Sequence, residues 1–149
     1  MDIKDFRVMV DSFNEQLAGI DEKVTNIKLS EDKWSLREII GHLIDSASNN
    51  HQRFVRLQFD DLLGFPAYDG EQWVRVQKYN ASAWGELISL WYLYNTLLLH
   101  VVENVNAESL GNVWVKGEDT ITLEELIIDY YWHMKNHIEH FNNRFKELI

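Results

Sequence analysis

Cysteine is absent from this sequence of 149 residues. Without it the chain can form no disulfide, no thiolate metal site and no cysteine nucleophile, and a reducing compartment is compatible with that composition. Proline occurs once, at Pro66, and glycine seven times. So few turn-forming residues argue against a sandwich of many short strands and favour long helices.

Basic side chains are also scarce, with 14 Lys and Arg against 24 Asp and Glu, for a net charge of −10. That charge repels nucleic-acid backbones and anionic lipid surfaces, so we expect no nucleic-acid partner and no membrane partner. No stretch approaches the roughly 18 apolar residues that cross a bilayer, and the first residues lack the layout of a signal peptide. The sequence therefore predicts a cytoplasmic protein whose partners are small molecules or other proteins.

Apolar residues make up 46% of the chain, including six Trp, six Tyr and seven Phe. This is enough to fold around a core, and the length predicts a single domain over residues 1–149. Apolar residues at helical spacing predict an all-α fold, a bundle of four helices. The predicted helices span about residues 3–20, 35–59, 83–104 and 122 to near the C-terminus.

Two of these helices begin with the same local motif. Ser35 is followed three positions later by Glu38, and Thr122 in the same way by Glu125. Both pairs are capping boxes, in which each side chain accepts a hydrogen bond from the other residue's backbone N–H. The long connections after the second and third helices cover residues 60–80 and 105–121. Connections of that length are often functional, and residues 113–119 of the second one predict a small hairpin.

The last predicted helix contains three of the six histidines, His133, His137 and His140. At about 100° per residue, His133 and His137 lie one turn apart on the same side of the helix. Two imidazoles placed in this way can bind one ion, as in the helical histidine pairs of zinc enzymes. They lie on the flank of the buried face, as His42 does on the second helix. If these two helices are neighbours, the three rings can meet, but the sequence alone leaves that open.

Ser46 and Asn49 accompany His42 on a polar ridge of the second helix. Three neutral imidazoles with an open fourth position are typical of a catalytic metal centre. Asp45 could orient a histidine ring or add an oxygen ligand, although a solvated surface acid is equally compatible. Histidines are commonly hydrogen-bonded or solvated without a metal, and a packed, hydrogen-bonded ring is the expectation for His51.

Several short segments occur in an order that resembles the DinB-like superfamily of metal-binding bundles, which includes YfiT-type proteins and bacillithiol transferases. The resemblance covers nearly the whole chain. The segments are Lys33-Trp34-Ser35, Gly41-His42-Leu43-Ile44-Asp45-Ser46, Tyr68-Asp69-Gly70-Glu71-Gln72-Trp73, Thr122-Leu123-Glu124-Glu125-Leu126 and His133-x-x-x-His137.

The resemblance implies a four-helix bundle that binds a divalent ion, Zn or Ni, through His42, His133 and His137. It further implies a homodimer and an enzyme that transfers a low-molecular-weight thiol to small electrophiles, or a related hydrolase. The alternatives are a non-catalytic metal-binding stress protein and a metal-free helical bundle. The candidate pocket or supporting residues are Asp45, Ser46, Asn49, Tyr130 and His140, the last standing where relatives commonly carry Gln.

Overall fold

Helices form most of the structure, a computed structural model that describes residues 2–149. In chain order they are α1 (Ile3–Ala18), α2 (Leu36–Arg56), α3 (Gly70–Gln77), α4 (Trp84–Glu103) and α5 (Leu123–Leu148). The strands are β1 (Leu62–Leu63), β2 (Val113–Lys116) and β3 (Asp119–Thr122). The predicted all-α bundle of four long helices is confirmed, and the eight-residue α3 is an addition to it. No helix in this part of the chain is both long and apolar enough to cross a membrane.

Both predicted capping boxes are present. At the start of α2, the Ser35 hydroxyl accepts a hydrogen bond from the Glu38 N–H (3.2 Å), and the Glu38 carboxylate accepts one from the Ser35 N–H (3.0 Å). Thr122 forms the equivalent pair with Glu125 at the start of α5. A third box, from Asp2, begins α1. Each satisfies backbone N–H groups that a helix leaves without intrahelical partners.

The bundle places α2 next to both α4 and α5, while α1 packs against α4 and α5 on the other side. Consecutive helices α1 and α2 thus lie diagonally opposite each other. Aromatic rings fill the centre: Phe6 stacks on Tyr131 at 3.9 Å, and Phe13 makes an edge contact with Trp91 at 5.1 Å. The packing shows that α2 and α5 are neighbours. The histidines of these two helices can therefore share one cleft.

The connection at residues 60–80 is more ordered than the sequence predicts. It contains β1, which pairs in parallel with β2, and then α3. The Asp69 carboxylate caps α3 by accepting from the N–H groups of Glu71 and Gln72. Val74 is the only buried residue of α3. The predicted hairpin is confirmed, with β2 antiparallel to β3 and Gly117 in the turn at a φ of 61°.

Candidate metal centre

Three histidine rings converge between α2 and α5. Nε2 of His137 lies 3.1 Å from Nε2 of His42 and 3.0 Å from Nε2 of His133. One nitrogen from each of the three rings lies within 4.8 Å of the other two. Ring nitrogens that share one ion at about 2.1 Å stand roughly 3.0–3.5 Å apart. The distances and the all-nitrogen donor set therefore fit one divalent ion.

Burial keeps these rings neutral. Burial, together with a smaller effect of the neighbouring histidines, lowers the pKa of His42 to about 4 and that of His137 to about 3. Burial also lowers the pKa of His133, against the opposing effect of Asp129. A neutral imidazole offers a lone pair to a metal, whereas a protonated one does not. The site is thus in its ligating protonation state at neutral pH.

The other side of the His42 ring is tightly enclosed. A Cβ on Gly70 would lie 3.1 Å from Cε1 and 3.3 Å from Nδ1 of this ring. The Trp34 ring stands 5.0 Å away between centroids. Nδ1 of His42 and Nδ1 of His137 are buried and have no hydrogen-bond partner among residues 2–149. The two rings are therefore positioned by packing rather than by a carboxylate or carbonyl acceptor.

Asp45 is buried rather than a solvated surface acid. Its Oδ1 accepts hydrogen bonds from the Tyr79 hydroxyl (2.5 Å) and the Gln77 amide (2.8 Å). Its Oδ2 has no partner within the described chain, and burial raises the pKa of this carboxyl in spite of those two bonds. Asp45 holds the end of α3 and the turn after it onto α2, and it makes no hydrogen bond to a histidine ring.

A pocket of about 220 Å³ opens beside His133. Ser46 and Tyr130, both named from the sequence, line it. The Tyr130 hydroxyl donates to Oδ1 of the buried Asn95 at 2.6 Å, which fixes the ring against α4. Arg53, on the same polar ridge of α2 as Ser46, also faces this pocket.

The remaining candidate residues, Asn49 and His140, lie at the edge of the metal centre. The Asn49 amide donates to the backbone carbonyl of Asp45 (2.9 Å), and its neighbour Asn50 lines the pocket instead. The His140 ring is half-buried, 6.0 Å from His137 between centroids. It is outside the group of three nitrogens that could share an ion. The half-buried His51 is hydrogen-bonded to the Tyr94 hydroxyl at 2.9 Å, as expected of a packed ring.

Sequence reasoning missed Gln77 and Tyr79, the two residues that close over Asp45. A Cβ on Gly41 would overlap the Tyr79 ring, so this glycine is required for the contact. A glycine in the middle of an amphipathic helix, directly before His42, is the signal that could have indicated a close approach there.

The sequence matches known proteins over most of its length. The DinB superfamily model matches residues 6–141. A protein of Halalkalibacterium halodurans, named as a proposed metal-dependent hydrolase, is 23% identical over 139 residues, which cover 93% of this chain and 81% of that protein. YfiT of Bacillus subtilis, with a name of the same kind, is 28% identical over 110 residues, which cover 72% of this chain and 61% of YfiT.

Solved structures show the same fold. YfiT, described as having an unusual four-helix bundle topology, gives a TM-score of 0.83 at 18% identity, covering 97% of this chain and 84% of YfiT. A mycothiol-dependent maleylpyruvate isomerase gives a TM-score of 0.71 at 11% identity, covering 95% of this chain and 60% of the isomerase. With the family match over residues 6–141, these findings confirm the resemblance read from the sequence motifs: the chain belongs to the DinB superfamily.

Proposed function

We propose that the chain holds one divalent metal ion, Zn or Ni, on His42, His133 and His137, and that it is an enzyme acting on small molecules. The observation that carries the proposal is the convergence of three neutral imidazoles, with Nε2 separations of 3.0 and 3.1 Å. The names of the relatives in H. halodurans and B. subtilis, both proposed metal-dependent hydrolases, support the same class of function.

The reaction we propose is transfer of a low-molecular-weight thiol to a small electrophile, or a related hydrolysis. A divalent ion supplies positive charge that stabilises a deprotonated sulfur or water oxygen at neutral pH. The mycothiol dependence named for the isomerase of the same fold supports the thiol, and the hydrolase names support the second reaction.

The protein's own residues prepare this chemistry in two ways. The enclosure by Trp34 and Gly70 excludes water from the His42 ring and keeps it neutral. The pocket beside His133 offers the Ser46 hydroxyl and the Asn50 side chain as polar groups on its walls. Pockets with a few placed polar groups orient small substrates against a reactive centre.

Elemental analysis of protein purified without a His-tag tests the metal site. Wild-type protein should carry about one ion per chain, since three imidazoles bind a single tetrahedral ion with one open position. His42→Ala should lose it, while the matched control His100→Ala, at an exposed histidine of α4, should keep it. Wild-type protein that takes up no Zn, Ni or Co under saturating conditions would contradict the site.

A panel of thiols and electrophiles then tests catalysis. Conjugation should be accelerated by metal-loaded wild type and by His100→Ala, but not by metal-free protein or His42→Ala. Equal rates in all four, with metal bound in the first two, would favour a non-catalytic metal-binding protein.

A homodimer in the cytoplasm belongs to the same proposal. Leu90, Leu93 and Leu97 form an exposed apolar stripe along α4, and such stripes commonly mark protein interfaces. A chain without cysteine is compatible with a reducing compartment. Sedimentation should give a dimer for wild type and a monomer for Leu93→Glu; a monomer mass for wild type at all concentrations would contradict the dimer.

A further inference from the structure

Arg53 is a buried cation without an anionic partner. Its side chain lies inside the protein, with 5% of the residue exposed. Nη1 stands 3.3 Å from Oδ1 of Asn50, Nη2 stands 3.5 Å from the Pro66 carbonyl oxygen, and Nε is buried with no partner among residues 2–149. Of its five N–H donors, at most two are used, and both bonds are long.

Aromatic rings compensate this charge only in part. The guanidinium carbon lies 4.0 Å from the centroid of the Trp114 ring and 5.9 Å from that of Tyr68. No carboxylate of the described chain forms an ion pair with Arg53, although five other ion pairs are present. A guanidinium cannot escape by losing its proton. Burying a charge is unfavourable unless an opposite charge and hydrogen bonds offset it, so the arrangement calls for an external anion.

The charged groups around the pocket favour a single negative charge on that anion. Arg53 and Lys116 are the cations that line it, Asp129 is the one carboxylate, and the His133 ring forms the end next to the metal centre. The pocket therefore carries a net charge of about +1 within a chain of −10. At about 220 Å³ it is smaller than the usual site for a drug-sized ligand.

We propose that this pocket binds the carboxylate of a small organic acid, with the Arg53 guanidinium as its counter-ion and the rest of the molecule directed toward His133. A planar guanidinium matches a carboxylate with two parallel N–H···O bonds, and Nη1 and Nη2 each keep an N–H that no hydrogen bond within residues 2–149 uses. This deepens the proposed function, since it states the substrate class, and it assigns Arg53 to substrate binding rather than to folding.

Paired probes test the charge requirement on wild-type protein. Propionate and benzoate are compared with propionamide and benzamide, which have nearly the same shape and no charge. Binding is followed by NMR through the Arg53 Nε–H and the Trp114 indole N–H, because the two side chains stack. Each acid should bind at least tenfold more tightly than its amide. Equal affinities for acid and amide, or tighter binding of inorganic phosphate than of either acid, would overturn the proposal.

Substitutions then test whether Arg53 supplies the positive charge that binds the acid. Arg53→Gln should abolish the preference for acid over amide, and Arg53→Lys should retain part of it. Arg56→Gln removes an exposed arginine of the same helix and should leave the preference unchanged. Retention of the full preference in folded Arg53→Gln would overturn the proposal; if that variant does not fold, the wild-type comparison decides.

The same titration in His42→Ala separates this subsite from the metal. Acid binding should persist there at a similar strength, because His42 is not among the residues that line this pocket. If acids bind while no metal does, the metal proposal fails alone; if metal binds while acids and amides are equivalent, the subsite fails alone.

Discussion

The metal centre has two parts that are held in place differently. Its helical wall consists of His42 on α2 with His133 and His137 on α5. Its cover consists of Gly70, Gln77 and Tyr79. The wall stands on two long helices whose backbone hydrogen bonds and core packing fix each side chain. The cover rests on an eight-residue helix and the turn after it. The cover is attached to α2 at two close contacts, the Tyr79 ring against Gly41 and Gly70 against the His42 ring. Hydrogen bonds to Asp45 hold it there as well.

This difference separates two tasks of the centre. The wall supplies the nitrogen donors, because residues one turn apart on a helix point to the same place. The cover helps to remove the wall from water, and burial is the main reason for the lowered pKa of His42. Changes in the wall should therefore abolish metal binding, whereas changes in the cover should alter stability and affinity by smaller amounts.

The largest effect is expected from a change in the wall. His137→Ala should weaken Zn binding by more than about 100-fold, since loss of a direct ligand exceeds the 10- to 100-fold typical of supporting residues. Competition with a chromophoric chelator measures this. His140→Gln, one turn further on, should remain within a few-fold of wild type. An equal loss of Zn affinity in His140→Gln would indicate that His140 is a fourth metal ligand.

The next largest effect is a dependence of stability on pH in the metal-free protein. The pKa of His42 is about 4 when folded and near 6.5 when unfolded. Between those values the unfolded chain binds more protons, so the free energy of unfolding decreases as pH falls. For this one histidine the loss is on the order of 3 kcal/mol. Asp45 acts in the opposite sense, because its pKa is raised.

Urea denaturation between pH 7.5 and pH 4.5 measures that dependence. A His42→Asn variant should show a flatter profile than wild type over the same range, with Asp45 still present in both. Identical profiles for the two proteins would mean that the cover does not bury His42 in solution.

Gly41→Ala tests the attachment of the cover to α2. The new methyl would overlap the Tyr79 ring, and overpacking of this kind costs about 1–3 kcal/mol. Gly85→Ala on α4 is the matched control, since nothing lies within 4 Å of a Cβ there. It should be neutral or stabilising by up to about 1 kcal/mol. Equal unfolding free energies for the two variants would show that Tyr79 does not pack on Gly41.

The smallest effect is expected where cover and wall touch. Gly70→Ala places a methyl 3.1 Å from Cε1 of His42, so the ring must shift by a few tenths of an ångström. Zn affinity should fall by about tenfold at most, an effect of the size seen for supporting residues. Gly111→Ala, where a Cβ meets no atom within 4 Å, should leave it unchanged. Identical Zn affinities in both variants would show that the cover does not position the His42 ring for metal binding.

Much of the wall could be predicted from the sequence because it depends on local rules. The starts of α2 and α5 could be predicted from two four-residue capping boxes, Ser35 with Glu38 and Thr122 with Glu125. Helical spacing alone placed His133 and His137 on one side of a helix. The ordered motifs indicated the family and with it the four-helix bundle, and the family model that confirms this matches residues 6–141.

Tertiary structure alone decided which groups lost their contact with water and what they met instead. No local pattern could state that α2 lies against α5, because that contact joins residues 95 positions apart, such as His42 and His137. The sequence was equally compatible with a solvated Asp45 and with one that supports the site, and only the packing of α3 and Tyr79 shows that this carboxylate is buried. The helical spacing placed Arg53 on the polar ridge of α2, but only the tertiary structure shows that Trp114 covers it and that no carboxylate in the described part of the chain forms an ion pair with it. Burial is a sum over distant segments, so it sets the charge and the availability of side chains whose spacing the sequence had already determined.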